Sequence, residues 1–423
     1  MKVHLFNITA LAAVTLASQG FAQQSGDSLE RALADLNSGL VTPAQGSGGP
    51  DWSGGFRARN QWYDDGMETN AVNIDVRVWM EMNWNVTEAT RVFIGANTSE
   101  NFGEGVPAPA ASANGITMSY DDRANGAFDF YRAGAEADGL LGLGGTAKIG
   151  RDNYTVGSGR LVGSDHWDNV PQTHAGIWYD NQINDMVAVH TSVTNDADTG
   201  NVDENDGRLW VLTVPITLNY SGGGGNVELT PYYLRFDGAQ LFGQGSSTWF
   251  GFHAGGDVLG FEYGLEWADH DSGGVSGSAL ALDLEYELGA LTSLPFVESG
   301  EIEFTFASSD DEFAVITPAY HNSAGFSDKL GRGGQWTPGT DLFGLGFGVE
   351  PAEGWEGELA FYSVEQDTAG REWTEVDLSF GFDMVGNIDS WFGIAFIDED
   401  GMDSELVFWA VLDLAFGGES EDM

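Results

Sequence analysis

The sequence predicts an all-β protein: a transmembrane antiparallel β-barrel of about 18 strands, preceded by a short N-terminal helix. Three observations carry this. From Asp51 onward, apolar residues recur at every second position in runs of about nine to twelve residues. A tilted strand needs ~9–11 residues to cross a bilayer, whereas strands of globular proteins average ~5–6. The chain also holds 60 glycines, 26 Phe, 14 Trp and 12 Tyr, which suits many tight turns and aromatic belts. Finally, no stretch approaches the ~20 apolar residues of a membrane-spanning helix, so any crossing must use strands. The mean hydropathy of −0.18 fits, because only alternate residues of a barrel strand face lipid.

Residues 1–22 read as a secretory signal. Lys2 gives a basic start, Leu5 to Ala17 is mostly apolar, and Gly20-Phe21-Ala22 offers a cleavage site. Asn7 interrupts the run, which is too short to span as a helix. Residues 23–50 form a periplasmic helix and linker. Leu29, Leu33, Leu36 and Leu40 recur at helical spacing, and Asp27 or Ser28 can cap the start. The expected helix is Ser28 to Ser38, ended near Gly39, with a linker from Pro43 to Gly49.

The barrel occupies residues 51–416, and 417–423 are a tail. From Asn73 to Trp84 the residues Ile74, Val76, Val78, Met80 and Met82 share one face, while Asp75, Arg77, Trp79 and Glu81 share the other. Leu259 to Trp267, Ala279 to Leu288 and Glu375 to Phe382 alternate in the same way. A soluble sandwich shows the same alternation with its apolar face inward. Run length favours the barrel, as do aromatics at run ends: Trp84, Trp267, Tyr286, Phe306, Phe382 and Phe416. A charge facing lipid at the midplane costs about 2–4 kcal/mol, so the acidic faces should look into the lumen.

Strands are expected near 52–63, 72–84, 89–99, 126–137, 145–152 and 173–181. The next six fall near 185–193, 208–220, 226–236, 247–254, 257–268 and 278–289. The last six fall near 300–308, 341–350, 355–364, 373–382, 390–397 and 405–416. Pro215 and Pro231 lie inside two of these runs, where each removes a ladder donor. Long gaps remain at 101–125, 152–173, 194–207 and 307–340, and loops of that length are usually functional.

The second gap carries the chain's densest motif. Lys148 to Asn169 reads K-I-G-R-D-N-Y-T-V-G-S-G-R-L-V-G-S-D-H-W-D-N, with Arg151 and Arg160 set among glycines. A bland reading is a glycine-rich hairpin with an arginine stapled to a carboxylate. The sharper reading is a loop folded into the lumen as a constriction. G-R followed by G-x-G-R-L-x-G and W-x-N resembles the central signature of the alginate-export family, a group of outer-membrane β-barrels. The resemblance extends to Trp52 through Asn60, and to Gly325-Phe-Ser-Asp-Lys-Leu through Thr340-Asp-Leu-Phe-Gly344. Asp152 stands where that family usually has glutamine. The resemblance implies eighteen strands and a lumen role for arginines, in a family whose prototype moves an anionic polymer. The last strand, closing on Phe416, resembles the signal read by the outer-membrane assembly machinery, with Gly417 to Met423 following.

Charge sets the remaining limits. Removing the signal removes Lys2 alone, leaving 15 basic against 65 acidic residues, so affinity for nucleic acid is not expected. Residues 237–423 hold only Lys329, Arg332 and Arg371 against 37 acids. Salt adaptation of the source accounts for such an excess as readily as selectivity does. With no cysteine, no H-x₃-H or H-E-x-x-H and no G-x-S-x-G, neither a metal, a cofactor nor a catalytic site is expected. Asp196 to Glu204 spaces carboxylates loosely like a calcium loop, but Gly200 holds the fifth position.

The pore-lining candidates are Arg57, Arg59, Arg77, Trp79, Glu81, Arg151 and Arg160. The expected function is an outer-membrane channel of alginate-export type, passing a polysaccharide, an oligosaccharide or a small solute. The expected partners are the lipid bilayer, the carbohydrate or solute, and the assembly machinery. A general cation-preferring porin and a secreted acidic matrix or adhesin protein are the alternatives.

Overall fold

The computed structural model describes residues 49–64, 70–101, 128–140, 144–164, 171–198, 207–219, 226–238, 246–258, 260–288, 299–316, 325–327, 329–383 and 388–417. The expected signal, the helix Ser28 to Ser38, residues 43–48 of its linker and the tail beyond Gly417 lie outside these residues.

The first strands are β1 (Asp51–Asp64), β2 (Asn70–Thr87), β3 (Thr90–Asn101), β4 (Phe128–Asp138), β5 (Thr146–Asp152) and β6 (Thr173–Asn184). Then come β7 (Val187–Asp198), β8 (Arg208–Thr213), β9 (Ile216–Asn219), β10 (Asn226–Asp237), β11 (Ser246–Val258) and β12 (Phe261–Ser272). The rest are β13 (Val275–Glu287), β14 (Ser299–Ser309), β15 (Thr340–Ala352), β16 (Trp355–Gln366), β17 (Arg371–Asp383), β18 (Ile388–Glu399) and β19 (Glu405–Gly417). All pair antiparallel in one sheet, and β1 pairs with β19, so the sheet closes on itself. Closure leaves no edge, which is what a sheet in lipid requires.

β8 and β9 are two halves of one stave, so the ring has eighteen. The expected single strand 208–220 is thus broken at Val214 and Pro215. Both flagged prolines meet at this break. Val214 N donates to Pro231 O at 3.0 Å, and Ala188 N donates to Pro215 O at 3.0 Å. Two residues that cannot donate share one interruption instead of creating two. Pro231 itself stays within a continuous β10.

Alternation places each residue type as expected. In β17, Trp373, Glu375, Asp377 and Ser379 are buried inside, while Val376, Leu378 and Phe380 are exposed on the outer face. Ile149, Ile177, Phe250, Leu345 and Phe396 continue that apolar outer surface.

The strands outlast the apolar pattern. β12 and β13 pair up to Ser272 and Val275 around Gly273 and Gly274, both at positive φ (60° and 102°). Their outer residues there are Asp269, Asp271, Ser276 and Ser278. The hydrogen-bond ladder continues where the lipid face has ended. Trp267 consequently sits mid-strand beside Phe250 and Phe252, not at a strand end. An aromatic group does mark the other end of the barrel. Trp355 stacks on Phe382 at 5.2 Å, and Phe382 on Phe392 at 6.2 Å.

One end carries the tight turns 88–89, 185–186 and 353–354, together with Asp51 and Gly417. The other carries the long connections after β3, β5, β7 and β14. Outer-membrane barrels show this asymmetry, with the long loops outside the cell. The buried apolar cluster lies inside the barrel. Val156, Leu161, Val162, Phe313 and Trp336, from two connections, pack against wall residues such as Leu209, Leu234 and Trp249.

The outer face gives a direct test. Leu378→Arg, at the centre of β17, should destabilise the barrel by about 2–4 kcal/mol in lipid vesicles. Denaturant titration followed by tryptophan fluorescence reads this; an unchanged midpoint would place Leu378 away from lipid.

Candidate functional site

The inner wall begins with a cluster of arginines. Arg57 lies directly opposite Arg77 on one side and Asp413 on the other, and Arg59 lies opposite Asp75. Arg57, Arg59, Arg77 and Asp75 are all buried on the lumen face. Arg59 Nε donates to Asp75 Oδ2 at 3.0 Å, and its guanidinium sits 5.6 Å from the Trp409 ring. The Arg77 guanidinium lies 5.2 Å from the Trp79 ring and 5.9 Å from that of Tyr131. Trp79 fits because Gly55 faces it: a Cβ there would fall 2.3 Å from the indole.

Glu81 extends the cluster. It accepts from the Tyr131 hydroxyl and from Arg132 Nη1 at 2.8 Å. A bulge between Gly95 and Asn97 lets the successive residues Tyr131 and Arg132 both reach it. Arg132 Nε also donates to Asp152 Oδ1 at 2.6 Å, and Lys148 Nζ to Asp152 Oδ2 at 2.9 Å. On β1 to β5, then, Asp75, Glu81, Glu136 and Asp152 each have a base beside them. Arg151 lies on the other register of β5. It pairs with Ala133 and Ala175, on the register of the exposed Ile149 and Ile177.

After Asp152 the chain turns into the lumen. Tyr154 packs between His174 and Trp178 and accepts from Ser192 Oγ at 3.2 Å; burial pushes its hydroxyl up to about 12. Val156 and Val162 form a bridge that closes a small hairpin. Gly157, at φ 59°, brings the tip against Glu266, where a Cβ would lie 2.4 Å from Oε1. The Ser158 hydroxyl donates to Glu266, and Ser158 N donates at 3.3 Å; the Tyr232 hydroxyl donates to the same carboxylate at 3.1 Å. Arg160 Nη2 donates to Asp283 Oδ2 at 2.5 Å, and Nε to Gln335 Oε1 at 2.7 Å. β5 and β12 stand six staves apart in the ring of eighteen. The segment therefore runs as a chord within the barrel, and Arg160 is fixed at its far end.

The connection after β14 meets it there. Ile316 N donates to Leu161 O at 3.3 Å, and Trp249 Nε1 donates to Ala314 O at 2.7 Å. Beyond both loops lies an acidic wall. Glu285 faces Glu303, and Glu287 faces Glu301, across β13 and β14. β15 shows Gly344, Gly346 and Gly348 to the lumen. A Cβ at Gly348 would meet Glu301 Oε1 at 2.3 Å, and one at Gly346 would lie 3.5 Å from Glu303 Oε2 and from Glu358 Oε1. The carboxylates of Glu301, Glu303 and Glu358 thus lie over a glycine floor, half-buried and open to water. Among the described residues, Arg160 is the base that reaches this wall, at Asp283. β3 to β5 and β13 to β15 stand nine staves apart, so the balanced wall and the acidic wall face each other.

The model of the family described as "Alginate export" matches residues 54–315, more than half of the chain. The chain belongs to the alginate-export family. No curated protein sequence is significantly similar to it. Among solved structures it is similar to Pseudomonas aeruginosa OccK3 (OpdO), at 12% identity over 88% of this chain and 96% of that one, with a TM-score of 0.59. It is also similar to Acinetobacter baumannii OccAB1, at 9% identity over 88% and 97%, with a TM-score of 0.61. A third is the outer membrane protein opdK from Pseudomonas aeruginosa, at 10% identity over 87% and 99%, with a TM-score of 0.60. At these identities the likeness shows the fold: an eighteen-stave outer-membrane barrel.

This alginate-export barrel is an outer-membrane channel. Of the residues singled out in the sequence, Arg57, Arg59, Arg77, Trp79 and Glu81 come together on one wall, and Arg160 lies at the infolded tip. Sequence reading passed over Arg132 and Lys148, which link Glu81 to Asp152. Their signal was Asp152 itself, a carboxylate at the family's glutamine position.

Burial makes the arginine cluster testable through stability. Asp75→Ala removes the carboxylate of a fully buried pair and should cost about 3–5 kcal/mol. Arg91→Ala breaks a pair with Glu136 in which the arginine is 42% exposed, and should cost less than about 1 kcal/mol. Urea titrations of the two variants in detergent micelles compare them; equal effects would contradict the buried placement.

Proposed function

We propose that this alginate-export channel passes cations and neutral solutes, carbohydrates among them, by diffusion down a gradient. The observation that carries the reading is the acidic wall of Glu285, Glu301, Glu303 and Glu358, half-buried and without a neighbouring base on its strands. Rows of carboxylates favour cations in a water-filled pore. Arg57, Arg59 and Arg77 are buried beside Asp75 and Asp413, so they contribute little field to the open lumen. The family match supports a sugar cargo. Half-buried rings on the lumen register, Trp79, Tyr362 and Trp391, offer flat contacts to sugar faces. The reading includes no catalytic step. Met1 to Ala22 supplies the export signal, and the strand closing on Phe416 is what the assembly machinery would read.

The favoured second reading is export of an acidic polysaccharide, supported by the family's name. It requires a cationic narrow point, and Arg160, Arg132 and Lys148 are the candidates. The two readings differ in the sign of selectivity.

Reversal potentials across a salt gradient in planar bilayers decide between them. Cations should be preferred, more at 0.1 M salt than at 1 M, since the Debye length falls from ~10 Å to ~3 Å. Replacing Glu301, Glu303 and Glu358 together by Gln should move the cation-to-anion ratio toward unity. A wild-type preference for anions at low salt would overturn the first reading in favour of the second.

A further inference from the structure

The connection from β14 to β15 contains a strap that no pore-lining role has absorbed, Gly325 to Leu330. We propose that Lys329 is a positioning residue for the pore: it anchors this strap to the wall, and the strap holds the constriction loop in place. The inference rests on the protein being a channel and not on its ion preference.

The anchors are four buried carboxylates on β17 to β19. Gly325 has φ 92°, and a Cβ there would fall 2.4 Å from Glu375 Oε1 and 2.9 Å from Asp377 Oδ2. Phe326 N donates to Asp377 Oδ2 at 2.8 Å. Ser327 N donates to Glu375 Oε1 at 2.9 Å, and its hydroxyl donates to the same carboxylate. Trp409 Nε1 donates to Phe326 O at 2.9 Å. Lys329 Nζ then lies 2.6 Å from Glu399 Oε2 and 3.1 Å from Glu405 Oε1, all three side chains buried. Arg371 forks both oxygens of Glu399, Nε donating to Oε1 at 2.8 Å and Nη2 to Oε2 at 3.0 Å. Removing one partner from such a group leaves buried charge uncompensated.

The strap leads directly to the constriction. A 3₁₀ turn, Gly331–Trp336, follows it. Trp336 is buried edge-on against Phe313, with ring centroids 5.6 Å apart. Gln335, beside it, accepts from Arg160 Nε at 2.7 Å. Upstream, Ile316 N donates to Leu161 O. The tip of the first loop therefore touches two wall acids, Glu266 and Asp283, and this second loop. The second loop reaches the wall through the strap, through the Trp249 indole on Ala314 O, and through Ser309 Oγ on Thr337 O at 2.6 Å. Loss of the Lys329 charge releases the strap, then Gln335, then Arg160.

Single-channel recording of the full-length protein tests this, with neutral polyethylene glycols as a size gauge and unheated gel mobility as a check on barrel closure. Lys329→Met should raise conductance on the order of twofold, increase open-channel noise and admit larger polymers. Lys329→Arg should restore wild-type values. Gln335→Ala should move all three readouts in the same direction, and its effect should not add to that of Lys329→Met. A closed Lys329→Met barrel with wild-type conductance, noise and cut-off would overturn the proposal. Should Lys329→Met fail to fold, an unchanged Gln335→Ala channel would overturn it equally. Ion preference is not among these readouts, so an anion-preferring wild type would sink the previous reading and leave this one standing.

Discussion

A strand crossing lipid has two faces, and one of them cannot carry charge. This constraint organises the molecule. With 65 acids against 16 bases, nearly every carboxylate at membrane depth must point inward. The lumen has to accommodate far more negative charge than its own bases can neutralise. It does so in three ways, and each belongs to a different sector of the ring.

On β1 to β5 the lumen acids Asp75, Glu81 and Asp152 are paired. Asp75 with Arg59, Glu81 with Arg132, and Asp152 with Arg132 and Lys148 form a nearly balanced wall. On β12 and on β17 to β19, infolded loops bring donors. Glu266 is met by Ser158, Glu375 by Ser327, Asp377 by the Phe326 amide, and Glu399 and Glu405 by Lys329. On β13 to β16 the loop reaches Asp283 through Arg160, while Glu285, Glu301, Glu303 and Glu358 stay half-buried and wet. There β15 supplies glycines, so the carboxylates lie against the wall instead of filling the pore. Selectivity is expected from the third sector because the first two are already neutralised or covered.

Much of this was legible in the sequence. A period of two fixes which side chains share a face, so Arg57 with Arg59, Asp75 with Arg77, and Glu375 with Asp377 were placed correctly without coordinates. The infolding of the segment after Asp152 was legible because glycines and an arginine crowd a stretch that follows a strand, and Arg160 does end on wall carboxylates. Three things were not legible. Arg151 follows the alternation onto the register of Ile149, which its neighbouring motif disguised. Arg132 enters the lumen network through a bulge, and a bulge leaves no mark on a hydrophobic pattern. Strand ends were cut short wherever polar residues took over the outer face above the lipid, as at Asp269 and Asp271. Hydrophobicity reports the membrane, whereas the ladder of hydrogen bonds extends past it.

The two infolded loops share one solution to the scarcity of bases. Each approaches a buried carboxylate with a glycine in the left-handed region, Gly157 at Glu266 and Gly325 at Glu375. The missing Cβ lets the main chain come close, and the residues that follow offer an amide and a hydroxyl to the same acid. Amide and hydroxyl donors carry no net charge, so they hold the carboxylate without adding a cation to the pore. A protein with three basic residues in its second half can thus tie down several acids there and still keep its lumen field negative. The loops at once occupy part of the lumen and solvate the wall they close against. On that reasoning the position of the constriction and the charge of the pore are not independent properties. A substitution that frees a loop also uncovers the carboxylates it was holding, and the pore becomes wider and more acidic together.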